Sequence, residues 1–198
     1  MVGIVLVSHS RALALSVQEL VRSMTGPALP LAIAAGTGDN HAELGTDAVE
    51  IAEAIVAVKG MLGEPVVPVD YGRVPWAIYC HPEVAFCGMT EAQAKEKGIP
   101  VVTKKDPFGG NSRAQILGET EGVVKIVAEQ RPDGSAGRIL GVHMAGPWVT
   151  EQLGAGYLAV NWEALPEEVA YFIQPHPSLS ESFGETMLAL TGRGMHIG

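Results

Sequence analysis

A histidine set between two prolines, with a glutamate five residues on, is the stretch of this sequence best suited to chemistry: Gln174-Pro175-His176-Pro177-Ser178-Leu179-Ser180-Glu181. A carboxylate that reaches one imidazole nitrogen fixes the tautomer and raises the basicity of the other, which is the general-base half of many catalytic sites. The spacing predicts a Pro-started helix after His176, with Ser178 as its cap and Glu181 one turn inside it. A capped helix with a surface His–Glu contact accounts for the same residues equally well. A second imidazole, His9 in Ser8-His9-Ser10, is expected at the end of a strand, facing the free N–H groups of the next helix. Those groups would stabilise an anion on or near the ring. A lone histidine also suits capping or packing.

Other reactive side chains carry less. Cys80 and Cys87 lie seven apart in an apolar setting, and two cysteines make no disulfide framework, so the simplest compartment is cytoplasmic. His81 beside Pro82 and His143 inside a predicted strand read as structural; with Cys80 they lack the paired spacing of metal ligands. Gly36-Thr37-Gly38-Asp39-Asn40-His41 has a passing likeness to a dinucleotide loop, but His41 stands where the third glycine belongs.

The elements that must position these groups fall into two textures. Val2 to Val7 is an apolar, β-branched run, followed by a helical pattern through Leu13, Val17, Leu20, Val21 and Met24, a second apolar run from Leu31 to Ala35, and a helix from Thr46 to Gly60. In that last helix Thr46 or Asp47 can cap the start, Ala48, Ile51, Ala52, Ile55 and Val58 share a face, and Gly60 is available to end it. The order βαβα implies parallel strands with a right-handed crossover, and both Ser8-His9-Ser10 and Gly36-Thr37-Gly38-Asp39 fall at carboxyl ends of strands. After Gly63 the pattern changes. Strands are expected at Trp76–Cys80, Ile99–Thr103, Gly122–Ala128 and Arg138–Ala145, with a turn at Arg131-Pro132-Asp133-Gly134 and a short capped helix from Thr90 to Lys97. Helices are expected near Val149–Ala159, Pro166–Phe172 and Leu179–Thr191. Strands first and helices last indicate an α+β domain on an antiparallel sheet. Trp148, Tyr157 and Trp162 fall in or near one helix and suit core or interface packing.

Composition narrows the classes. The 198 residues are 47% hydrophobic, enough for a packed core, and the net charge of −9 is spread along the chain. No basic patch offers a field for nucleic acid or an anionic membrane, and no apolar run is long enough to span a bilayer. The N-terminus reads as a first core strand, not a signal peptide.

Two resemblances give these halves expected roles. Gly3-Ile4-Val5-Leu6-Val7-Ser8-His9-Ser10, the helix through Arg22, Ile33-Ala34-Ala35-Gly36-Thr37-Gly38 and Gly45-Thr46-Asp47-Ala48 resemble the start of a mannose-type IIA domain, as in the phosphotransferase subunit of phosphoenolpyruvate-dependent dihydroxyacetone kinase. That resemblance implies phosphorylation of His9 by a histidine phosphocarrier protein. It covers roughly residues 1–56; two further strand–helix units of a IIA domain have no counterpart. From about Ala54 onward the chain resembles the C-terminal dimerisation domain of dihydrolipoamide dehydrogenase and its pyridine-nucleotide disulfide oxidoreductase relatives. The matching stretches are Val74-Pro75-Trp76, His81-Pro82-Glu83-Val84-Ala85, Asn111-Ser112-Arg113-Ala114, Gly118-Glu119-Thr120-Glu121-Gly122, Ile139-Leu140-Gly141-Val142-His143, Gly146-Pro147 and, most specific, His176-Pro177-Ser178-Leu179-Ser180-Glu181. It implies that His176 is an acid/base for a dithiol, oriented by Glu181, and serves a partner subunit's redox centre across a dimer interface. Where relatives often carry a second histidine, this chain has Gln174.

The expectation is therefore a composite: residues 1–56 a partial IIA-like segment, residues 57–198 a dimerisation domain. No Gly-rich FAD loop, NAD loop or C-x4-C redox pair is expected, so FAD and NAD belong to the complete family member only, and neither parent activity is expected of this chain alone. A homodimer is expected, and a flavoprotein lacking this domain is a further candidate partner.

Overall fold

The computed structural model describes residues 4–8, 11–25, 31–35 and 48–195. The chain divides into two compact units, 1–71 and 72–198.

In the first unit, β1 (Ile4–Ser8) and β2 (Leu31–Ala35) pair in parallel, with Ile4 opposite Leu31 and Ser8 opposite Ala35, and α1 (Arg11–Thr25) runs between them. A parallel pair needs such a crossover, and α1 packs on both strands. α2 (Ala48–Met61) packs on β2. Its expected face is borne out at Ile51, Ala52 and Val58, which are half-buried, but Ile55 is 51% exposed. Gly60 does not end the helix. The left-handed residue is Gly63 at φ +74, after the Glu64 amide has bonded back to the Lys59 carbonyl. The expected cap at Thr46 or Asp47 lies outside the described residues.

The second unit is a five-stranded antiparallel sheet in the order β3-β4-β7-β6-β5. The strands are β3 (Trp76–Ile78), β4 (Glu83–Gly88), β5 (Val101–Pro107), β6 (Val123–Gln130) and β7 (Ala136–Gly146). Short helices α3 (Glu91–Glu96) and α4 (Ser112–Leu117) flank β5, and α5 (Val149–Asn161), α6 (Pro166–Ala170) and α7 (Glu181–Leu190) follow the last strand. Alternate residues of the strands turn to the helices: Ala85 and Cys87 of β4, Val124 and Ile126 of β6, and Val142 and Met144 of β7 join Val149 and Leu153 of α5 and Phe183 and Met187 of α7 in one core. α5 covers β4 and β7, and α7 covers β5 and β6.

The turn expected at Arg131-Pro132-Asp133-Gly134 closes the β6–β7 hairpin, with Gly134 at φ +84 and Asp133 Oδ1 accepting from the Ser135 amide at 2.9 Å. Thr90 caps α3 in a reciprocal capping box with Gln93. Three expectations shift. β3 ends at Ile78, leaving Tyr79 and Cys80 outside it; β5 begins two residues and ends four residues later than expected; and β4, which no sequence pattern marked, is an interior strand beside β7. Trp148, Tyr157 and Trp162 are not core residues: they are 59%, 37% and 75% exposed.

Candidate functional site

His176 lies in the connection between α6 and α7. Pro175 and Pro177 on either side of it have fixed φ and no amide hydrogen, so this stretch can neither join a helix nor satisfy itself through its own backbone. The regular helix consequently begins later than the sequence implied. Ser180 is the N-cap and Glu181 the first residue of α7, not a residue one turn inside.

Glu181 uses both oxygens locally. Oε2 accepts from the Ser178 amide at 2.8 Å, and Oε1 sits 2.9 Å from His176 Nδ1. The first contact ties the Glu181 carboxylate back to the backbone two residues before the N-cap. Ser178 Oγ lies 2.9 Å from Ser180 Oγ. A carboxylate oxygen can only accept from Nδ1, so the proton of the neutral ring belongs there and Nε2 keeps its lone pair. The imidazole remains 70% exposed, whereas Glu181 is 31% exposed. The imidazole is thus presented outward on a better-buried support.

A second support comes from far away in sequence. Asn111, the N-cap of α4 and 6% exposed, donates from Nδ2 to the Ser178 carbonyl at 2.9 Å and to Ser182 Oγ at 3.2 Å. Asn111, His176, Glu181 and Ser182 line a cleft of about 320 Å³ that also takes in Gln174 and the two buried acids Asp106 and Glu185. Gln174 lies against α7 where Gly184 leaves room: a Cβ there would meet its Cγ at 3.1 Å. In the sequence Asn111 stands out only as part of a stretch matching the family. An Asn before a short helix signals a cap, and nothing local marks a contact 67 residues away.

The other described candidates of this unit are not brought to this site. His9 and the Gly36–His41 loop lie outside the described residues. Cys87 is fully buried in β4, and burial pushes its thiol up to about 11, against a weaker backbone hydrogen bond at Val142. Cys80 is exposed. His143 is half-buried in β7, stacked on Phe86 with its Nε2 3.0 Å from the Met89 carbonyl oxygen, as a structural histidine would be. Among the described residues no group of side chains could hold a metal ion, and no helix is long and apolar enough to cross a membrane.

The larger unit has counterparts among known proteins. Residues 74–187 match the family model of the pyridine nucleotide-disulphide oxidoreductase dimerisation domain. The chain belongs to that family. Its relatives include the mitochondrial dihydrolipoyl dehydrogenase of Canis lupus familiaris, 44% identical over 137 residues, and the dihydrolipoyl dehydrogenase of Bacillus subtilis, 44% identical over 145 residues. These matches take in 69% and 73% of this chain but only 26% and 30% of those enzymes, so the chain spans little more than a quarter of the relatives it matches. Among solved structures, LpdA from Mycobacterium tuberculosis is similar with a TM-score of 0.69 and 26% identity, over 83% of this chain and 34% of that one. Residues 3–63 match a second family model, the PTS system fructose IIA component, so both halves of the composite expectation have a counterpart.

A dinucleotide phosphate needs a glycine-rich turn from a parallel strand into a helix, and every strand pair of the five-stranded sheet is antiparallel. The cleft beside His176 is lined by Asp106, Glu181 and Glu185, which would repel phosphates.

Proposed function

We propose that the chain is a homodimerising module whose His176–Glu181 pair supplies the acid/base group to the redox centre of a flavoprotein that holds FAD and NAD itself. The observation that carries this is the pair's geometry: Nδ1 held by Glu181 at 2.9 Å, with the rest of the ring out in solvent. Nε2 of such a ring takes the proton of a dithiol, leaving a thiolate able to attack a disulfide, and returns the proton when the disulfide chemistry runs the other way. Dimerisation is supported by Tyr171, Phe172 and Ile173, which are 70%, 68% and 97% exposed one after another just before His176. Three consecutive large apolar residues in water are characteristic of an interaction surface.

The test is complementation. A dihydrolipoyl dehydrogenase truncated before its dimerisation domain is assayed with and without this chain. Restored turnover that falls by about 100-fold or more with His176→Gln supports the reading; no restoration by the wild-type chain overturns it.

A second reading rests on the IIA model match over residues 3–63 and on the parallel β1–β2 pair. His9 follows directly on the last residue of β1 and would receive a phosphoryl group from a histidine phosphocarrier protein, in a dihydroxyacetone kinase system. Incubation with phosphoenolpyruvate and upstream phosphocarriers, followed by intact mass, should show an adduct that His9→Ala loses; no adduct removes this reading.

A further inference from the structure

We infer that Asn111 is a positioning residue for the His176–Glu181 pair. From the start of α4 it holds Ser178 in place, and Ser178 in turn holds the Glu181 carboxylate against the imidazole.

The connection that carries His176 has little regular hydrogen bonding. Its two prolines donate nothing, and Ser178 is secured at both ends by side chains. Its amide goes to Glu181 Oε2 at 2.8 Å and its carbonyl receives Asn111 Nδ2 at 2.9 Å. The orientation of Glu181 therefore depends on where Ser178 sits, and the position of Ser178 depends on Asn111. The anchor itself is firm. Asn111 Oδ1 accepts from the Ala114 amide at 3.0 Å, and its own amide donates to the carbonyl of Phe108, a fully buried residue, at 2.9 Å. Its second amide hydrogen reaches Ser182 Oγ, inside the first turn of α7. One side chain thus joins the cap of α4 to the first turn of α7 and to the segment that carries the His176–Glu181 pair.

The amide identity separates this role from plain capping. At an N-cap, Asn, Asp and Ser are about equally good, because capping uses only an acceptor. Reaching the Ser178 carbonyl needs a donor on the same side chain, which Asp lacks and which Ser is too short to deliver. An amide of this length meets both demands at once.

The inference rests on reading the pair as an acid/base, and its test is independent of turnover. Ring ¹⁵N shifts of His176 are recorded in the full chain for wild type, Glu181→Ala and Asn111→Ser. Wild type should show the Nδ1-protonated tautomer as the dominant neutral form, and Glu181→Ala should lose that dominance. Asn111→Ser keeps an α4 cap, so the Ala114 amide signal should hold while the His176 ring moves to the Glu181→Ala pattern. A ring signal and Ser178 amide unchanged from wild type in Asn111→Ser overturn the inference. Should that variant not fold, the wild type decides: a through-hydrogen-bond coupling between Asn111 Nδ2 and the Ser178 carbonyl carbon supports it, and absence of that coupling overturns it. A pair that shows this dependence yet restores no dehydrogenase turnover removes the acid/base function and leaves the positioning role standing.

Discussion

At the scale of single residues, the two cysteines are the same chemistry in opposite environments. Cys80 is exposed and should react with a thiol reagent in the folded protein, while Cys87 should react only after denaturation, so two-phase thiol titration checks the pair. The Cys87 thiol ionises near 9.0 when unfolded and at about 11 when buried. Between those values the unfolded chain loses a proton that the folded chain keeps, so stability should fall as pH rises through that window. Cys87→Ala should flatten the alkaline slope in urea titrations, whatever it does to the absolute midpoint. His143 has the opposite sense. Burial first, and Lys125 nearby, hold its ring below the ordinary 6.5, against the Met89 carbonyl, which favours protonation. The unfolded chain then binds the proton more readily, and this contribution is present above about 6.5 and lost as the pH falls through the depressed value. His143→Gln should make the acid limb of a Tm-against-pH profile shallower.

At the scale of elements, the way α5 lies on the sheet is set by a glycine. A Cβ on Gly156 would come within 2.8 Å of the Val142 side chain, which is fully buried in β7. Gly156→Val should therefore push α5 outward and cost about 1–3 kcal/mol in denaturant unfolding. Gly154, two residues earlier, has nothing within 4 Å of the same position. Gly154→Ala should stabilise by about 0.5–1 kcal/mol, because only the helix propensity changes. This contrast is invisible in a sequence where both are helical glycines. β4 escaped for a related reason. Ala85 and Cys87 face the core while Val84 and Phe86 face the other side, so a six-residue run without polar alternation gave no period, and it becomes a strand by pairing with β7. By contrast, the α3 capping box, the β6–β7 turn and α5 were readable, since each depends on residues a few positions apart.

At the scale of the molecule, two units carry the resemblance to two families. The exposed run Tyr171-Phe172-Ile173 ought to be covered in the proposed dimer. Ile173→Asp should shift the sedimentation of the chain from dimer towards monomer at micromolar concentration while leaving its far-UV spectrum unchanged; an unshifted dimer would place the contact elsewhere. In the first unit, Ile51→Asp should loosen the packing of α2 on β2 and leave amide exchange in the five-stranded sheet as it was.

The sequence by itself determined the order of elements apart from β4, the parallel opening pair, the antiparallel α+β class and the meeting of His176 with Glu181. All of these follow from local periodicity, turn chemistry or a five-residue spacing that the chain itself enforces. Only the tertiary structure decided that α7 starts at Glu181, that Gly63 and not Gly60 ends α2, that β4 lies inside the sheet, and that Asn111 reaches across 67 residues to hold Ser178. The last two depend on hydrogen bonds and core contacts between segments distant in sequence, whereas the two helix ends rest on local backbone bonds for which several neighbouring residues compete. Their partners are set by burial within the folded sheet and its helices, and no local pattern names them.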